Sequence, residues 1–516
     1  MDPRHQHTTP STGDIAAALR EAGLVERACP GPAGDAPIHG CTVDSREVKP
    51  GDLFFCKGAR FQARYLVDAV EAGAACFVAP ASQRAELDAL DLGDRAAAIY
   101  VNDVRRAMAV ASPVVYGHPD RAVKIVGITG TKGKSTTEYM LKSIFEAAGE
   151  RPAIMGSIDT DDGIEHFESH NTTPEAPELW RHVANCRDSG HGPLVMEVSS
   201  QGLKYGRVEG LHLDIACFLN IGRDHISPIE HPDFEDYFQS KLRIFEQCGT
   251  AVVNLGSDHV ERVLRAARAA ARIVTIGVDR PEADLCAAGV RGGRGGIDFE
   301  LRCAPALRAP DAPGTVHVGI PGLFNAENAL AAIASARLLG VPFPAIERGL
   351  ASFRVPGRME VVRTADGRIT AIVDYAHNAL SFRALFASVE HEYPGHQVIA
   401  VFGAPGDKAK ERREQLPREA APHCDLLIFT EEDPAHERVE DICAEMASHV
   451  PSGTPCEIVC DRERAIERAF EAARADARPS VVLLLAKGDE TRQHRGDDFP
   501  AVKSDLAIAR ELAGQA

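Results

Sequence analysis

Residues 123–149 read VKIVGITGTKGKSTTEYMLKSIFEAAG. An apolar run stops at Gly127, a loop with three glycines follows, and a helical pattern opens at Ser135 with Tyr139, Met140, Leu141, Ile144 and Phe145 on one apolar face. That order is strand, glycine loop, helix. Successive backbone N–H groups of such a loop, with the helix N-terminus, cradle a phosphate, and small residues let the backbone come close. Lys134 adds a point charge at the terminal phosphates, and the Ser135 hydroxyl reaches Mg²⁺. The stretch departs from the G-x-x-x-x-G-K-[ST] pattern because Ile128 stands at the first glycine, flanked by Gly127 and Gly130. A tight turn that merely contains Gly-Lys-Ser is the bland alternative; the strand before and the helix after argue against it. ATP or GTP is the expected ligand.

A chain of 516 residues is too long for one core, so two to four domains are expected. With 44% hydrophobic and 26% charged residues, the composition is that of a soluble globular enzyme. The formal net charge of −18 argues against nucleic acid or an anionic membrane held by bulk electrostatics, so local sites must meet any polyanionic ligand. The opening MDPRHQHTTPSTGD is polar, and no later run approaches the ~18 apolar residues of a span, so a cytoplasmic protein without membrane insertion is expected. Thirteen cysteines without a C-x-x-C pair read as buried reduced thiols. His5 and His7 read as solvated residues of a flexible tail.

Strand-like and helix-like pieces alternate throughout, which points to α/β layers. The expected divisions are an N-terminal domain at 1–118 with a disordered tail at 1–14, a central doubly wound domain at 119–353, and a third, Rossmann-like domain at 354–516. Residues 285–318, with GVRGGRGG, read as a β-rich excursion, and TAIVDYA, HQVIAVFG, CDLLIFT and SVVLLLAKG as four strands of the third domain. Glu197 and His225 fall at the C-terminal ends of predicted strands, where open parallel sheets hold ligands. Together they could complete the Mg²⁺ shell that the phosphates begin; either alone could be a satisfied strand-end residue.

GITGTKGKST, NTTPE, MEVSSQGLKYGRV, NIGRDH, DYFQSK, FNAENALAA, VPGRME and DYAHN occur in this order. The ordered set resembles the Mur ligases of peptidoglycan precursor synthesis, specifically the tripeptide-synthesising, MurE-type branch, from about residue 40 onward. The resemblance implies a three-domain α/β architecture and an ATP-dependent amide ligase. In that reading ATP phosphorylates the side-chain carboxylate of D-glutamate in UDP-N-acetylmuramoyl-L-alanyl-D-glutamate, and a diamino acid attacks the acyl phosphate. A monomer is expected.

Residue by residue, the resemblance implies that Gly130, Thr131, Lys132, Gly133, Lys134, Ser135 and Thr136 hold the nucleotide phosphates. Mg²⁺ falls to Ser135, Glu197, His225 and a carbamoylated Lys241; composition and pattern alone put Lys241 on a solvated helix face. Asn325, Asn328, Arg358 and Asp374, with His377 nearby, match adenine- and ribose-side contacts. Ser45 matches the uridine segment. Asn171, Thr172, Thr173, Ser199, Tyr205 and Arg207 match the muramoyl-peptide contacts, although Gln201 and Tyr205 stand where relatives carry histidine and glutamine.

The implied amino-acid site combines Arg413 for the α-carboxylate with Glu432, Asp433, Ala435, Lys487, Gly488 and Glu490. Relatives that add meso-diaminopimelate carry Asp-Asn-Pro-Arg, whose arginine forks onto the distal carboxylate. This chain has Asp433 and Ala435 at the asparagine and arginine positions. Negative charge from Glu432, Asp433 and Glu490 suits a distal ammonium, so L-lysine comes first, L-ornithine second and meso-diaminopimelate third, the last through Arg492 or His436. Departures at Gln201, Tyr205, Ala379, Ala435 and Asp489 mark a divergent branch. The rivals are a folate polyglutamylating ligase, the D-Ala-D-Ala-adding ligase, and a non-catalytic nucleotide-binding regulator.

Overall fold

The run IVGIT at Ile125–Thr129 is buried along its whole length, as a central parallel strand must be. It lies between Leu194–Glu197 and Leu213–Phe218, parallel to both. The computed structural model describes residues 9–515 except 30–34, 59–60, 91, 93–94, 225, 228–229, 294, 306 and 308–310. The expectations at His5, His7 and His225 therefore lie outside the described residues.

Three sheets are present among the described residues. Ile125–Thr129 belongs to the largest, of eleven strands. Its parallel body is extended at one edge by the antiparallel strands Gly296–Cys303 and Thr315–Val318, so the glycine-rich excursion is continuous with the central sheet. The N-terminal sheet has five strands, four of them parallel and Val25–Cys29 antiparallel at one edge. The C-terminal sheet contains the four expected strands as Ile369–Asp374, Ser480–Leu485, Gln397–Phe402 and Leu426–Phe429. Two short edges join them, Glu360–Arg363 and Cys456–Ile458. Both edges are only three or four residues long and mix charge with apolar positions, so neither reads as a strand from its pattern.

The polar N-terminal segment is corrected in part. Ser11 caps the helix Thr12–Glu21 by accepting from the Asp14 N–H, and the Asp14 side chain returns the bond to the Ser11 N–H, so residues 11–14 are ordered. All thirteen cysteines are free; seven are buried, five are half-buried and Cys456 is exposed. Among the described residues no helix is long and apolar enough to cross a membrane.

Candidate functional site

The parallel order puts the C-terminal ends of Ile125–Thr129, Leu194–Glu197 and Leu213–Phe218 side by side. From the first, residues 130–133 turn into the helix Lys134–Ala147, with Gly133 at φ +90° as its N-cap. A Cβ at Gly133 would lie 2.2 Å from Asn328 Oδ1, so only glycine fits. Asn220 clamps the loop, accepting from the Lys132 N–H at 2.9 Å through Oδ1 and donating to the Lys132 carbonyl at 3.1 Å. Thr131 Oγ1 lies 3.0 Å from the Tyr237 hydroxyl. Lys134 Nζ folds back to donate to the Gly130 carbonyl at 3.1 Å. Thr136 is half-buried in the first helical turn, whose N–H groups have no carbonyl four residues back. The cradle suits a phosphate.

Ser135 Oγ donates to Glu197 Oε1 at 2.8 Å. The Ser157 N–H and hydroxyl reach the same oxygen at 2.9 and 2.7 Å. Glu197 Oε2 is buried and has no hydrogen-bond partner among the described residues. A carboxylate with one oxygen saturated and the other bare offers the second to a cation, and this hydroxyl–carboxylate donor set suits Mg²⁺.

Lys241, on the helix Phe234–Leu242, is 2% exposed, against the solvated position its pattern indicated. Its Nζ donates to the Gly130 carbonyl at 3.0 Å, the oxygen Lys134 also uses. Burial, and then the neighbouring Lys134, push its pKa well below the ordinary lysine value. A neutral amine is the form that captures CO₂.

Asp224 ties the central sheet to the C-terminal one. Lys132 Nζ lies 3.3 Å from it, Arg412 3.9 Å, and Asn378 Nδ2 donates to it at 2.8 Å. His377, beside Asn378, is pushed well below the usual histidine pKa by burial, then by Lys132 and Arg412. Asp374 accepts from the Met359 and Ala376 N–H groups at 2.9 and 2.8 Å, and Arg358 sits 4.3 Å above the Tyr375 ring. Asn328 Nδ2 donates to Asn325 Oδ1 at 2.9 Å, at the start of the helix Asn325–Leu338. Asn378 and Arg412 were missed because each reaches Asp224, beside the loop, only through the packing of two modules.

On the peptide side, Thr173 and Ser199 have structural tasks. Thr173 Oγ1 donates to the Glu197 carbonyl and accepts from the Ser199 N–H, both at 2.9 Å. Ser199 Oγ caps the helix Ser200–Lys204. Asn171 is exposed and Thr172 half-buried, leaving their side chains open to a ligand. Arg207 Nη1 donates to the Thr173 carbonyl at 2.9 Å, and Nη2 lies 2.9 Å from Glu175. Lys57 Nζ reaches Glu175 at 2.6 Å, and Arg105 stacks 4.1 Å over the Tyr205 ring. Two cations thus meet at one carboxylate with Arg105 as a third nearby charge; Lys57 and Arg105 come from the N-terminal module, beyond the reach of local patterning. Ser45 is half-buried in the turn after Gly40–Thr42.

The amino-acid site differs from expectation in two ways. Arg413 is 3% exposed and occupied by Glu437 and Glu445, each at 2.8 Å, so it is not free for an α-carboxylate. Its neighbour Arg412 instead faces Asp224, Glu432 and His377. Successive residues of a helix point about 100° apart, which decides between two adjacent arginines. Second, Lys487 Nζ lies 2.9 Å from Asp433 and 2.5 Å from Glu490, neutralising part of the expected acidic field. Glu432 remains: it is 8% exposed, its Oε2 has no partner among the described residues, and burial pushes its pKa up to about 7. Ala435 is buried and donates its N–H to the His494 carbonyl at 3.1 Å. Gly488 backs onto Gly357, beside Arg358. Arg492 donates to the Phe499 carbonyl, and the exposed His436 pairs with Asp407.

Residues 128–336 match the Mur ligase middle domain, and residues 357–488 the Mur ligase, glutamate ligase domain. The chain is 37% identical over 491 residues to a UDP-N-acetylmuramyl-tripeptide synthetase of Bifidobacterium longum, covering 90% of this chain and 92% of that one. It is 36% identical over 475 residues to a UDP-N-acetylmuramoyl-L-alanyl-D-glutamate–L-lysine ligase of Streptococcus pyogenes, covering 91% and 92%. A solved UDP-N-acetylmuramoyl-L-alanyl-D-glutamate–2,6-diaminopimelate ligase superposes with a TM-score of 0.64 at 25% identity, over 98% of this chain and 99% of that one.

Proposed function

The chain belongs to the Mur ligase family and is an ATP-dependent amide ligase, and on that premise we propose that it joins L-lysine to UDP-N-acetylmuramoyl-L-alanyl-D-glutamate. ATP would transfer its γ-phosphoryl group to the D-glutamate side-chain carboxylate. The lysine α-amine would then attack the acyl phosphate, forming the amide and releasing phosphate. Activation replaces a poor leaving oxide with phosphate, so the protein's work is positioning and charge stabilisation.

In this reading the first-turn N–H groups and Lys134 hold the β- and γ-phosphates, while Gly133 and Asn328 shape the loop. Ser135, Glu197 and His225 hold Mg²⁺, which supplies charge neutralisation on the transferring group. Lys241, as a carbamate, presents an anion where its Nζ now donates to the Gly130 carbonyl. Asn325, Arg358, Asp374 and His377 border the nucleoside. Arg207, with Lys57 and Arg105, receives an anionic part of the muramoyl-peptide in place of Glu175, while Asn171, Thr172 and Tyr205 line its path and Ser45 the uridine end. Arg412 takes the amino acid's α-carboxylate.

The observation that carries lysine over diaminopimelate is the bare, buried Glu432 carboxylate beside Ala435, with Arg492 and His436 engaged elsewhere. A distal ammonium satisfies Glu432; a distal carboxylate would find a methyl group and a like charge. Comparing lysine, ornithine and diaminopimelate as acceptors in ATP-dependent phosphate release tests the assignment.

A further inference from the structure

Glu138 lies on the helix that follows the phosphate loop, three residues beyond Ser135 and on the same side of it. It is 0% exposed, neither side-chain oxygen has a well-formed hydrogen bond among the described residues, and the backbone N–H of Met155 is the donor that faces it. The carboxylates acting on it most are Glu197 and then Asp159. A Cβ at Gly156 would lie 2.2 Å from Glu138 Oε2, so the acid is pressed against the backbone next to Ser157, the residue whose N–H and hydroxyl saturate Glu197 Oε1. Three bare, buried carboxylate oxygens thus occupy one neighbourhood: both of Glu138 and Oε2 of Glu197. Burying such oxygens without well-formed hydrogen bonds is costly, and a divalent cation removes that cost for all three at once.

We propose that Glu138 is an additional carboxylate of the divalent-cation site, acting with Ser135 and Glu197. This inference rests on the nucleotide–Mg²⁺ reading of the loop and extends it to a residue that motif matching did not assign. Glu138 adds hard oxygen ligands and a second negative charge, which raise the cation's residence beside the phosphates.

The test is Mn²⁺ affinity, read by electron paramagnetic resonance on the full chain with ADP, without turnover. Glu138→Gln keeps the shape and removes the charge, and weakens Mn²⁺ binding about 10- to 100-fold. Glu197→Gln, measured alongside, weakens it as well. Unchanged Mn²⁺ affinity in Glu138→Gln with a loss in Glu197→Gln overturns the role of Glu138 and leaves the ligase reading standing. No loss in either variant overturns the cation site itself. Thermal unfolding of Glu138→Gln separates a folding defect from a lost ligand: the isosteric variant melts no lower than wild type, and a lower melting temperature with unchanged Mn²⁺ affinity assigns Glu138 a structural role and overturns the proposal.

Discussion

Glu432 makes the distal-ammonium assignment quantitative. Its pKa of about 7 makes the carboxylate ~9% ionised at pH 6 and ~91% at pH 8, so its share of kcat/KM for lysine rises about tenfold across that interval. The lysine α-amine also deprotonates over this range, but it does so equally for a Glu432→Gln enzyme, so the ratio of wild type to variant isolates the carboxylate. A hydrogen bond between ionised partners contributes about 1.5–3 kcal/mol, so the ratio reaches about 10- to 150-fold at pH 8. It falls about tenfold by pH 6 as the carboxylate protonates. The assay is steady-state phosphate release with lysine varied at saturating ATP and nucleotide-peptide. A ratio near one at pH 8, or one that does not change with pH, refutes the reasoning. Stability runs the opposite way. Folding raises this pKa from 4.5, so the neutral form is favoured and stability falls as pH climbs from about 4.5 to 7. Glu432→Gln therefore unfolds at higher denaturant than wild type at pH 8, by up to about 3 kcal/mol, and matches it near pH 4.

Gly133→Ala combines a left-handed backbone with a Cβ 2.2 Å from Asn328, so ATP binding by calorimetry falls below detection while far-ultraviolet circular dichroism stays native. With ¹³C-bicarbonate, Lys241 gives a carbamate carbon signal that Lys241→Ala lacks; the variant loses about 10²- to 10³-fold in kcat and keeps nucleotide affinity. Arg207→Lys, which cannot reproduce the forked contacts to Thr173 and Glu175, raises KM for the nucleotide-peptide about tenfold or more and leaves KM for ATP unchanged.

Much of this was legible in the chain itself. The strand-loop-helix at Ile125–Thr129 and Lys134–Ala147 follows from apolar periodicity and glycine spacing, both local signals. The burial of Lys241 was not, because a lysine on an amphipathic helix reads as solvated until the loop it packs under is in place. The choice of Arg412 over Arg413 depends on helical phase to within one residue, and element boundaries read from sequence are less certain than that. Lys487 was recognised as a site residue but not as the counter-charge of Asp433 and Glu490, which lie 54 positions before it and three after. Thr173 and Ser199 lie where the motifs put them, yet the Thr173 hydroxyl braces the strand end that carries Glu197 and the Ser199 hydroxyl caps the helix that follows. Motif matching finds the position; only packing reveals which way the side chain is spent.

The most direct test is phosphate release from ATP with UDP-N-acetylmuramoyl-L-alanyl-D-glutamate, comparing L-lysine, L-ornithine and meso-diaminopimelate. The account predicts release that requires both substrates, with kcat/KM highest for lysine and lowest for diaminopimelate. Highest kcat/KM for diaminopimelate would contradict the reading of Glu432 and Ala435, and no release with any acceptor would contradict the ligase mechanism built on the loop.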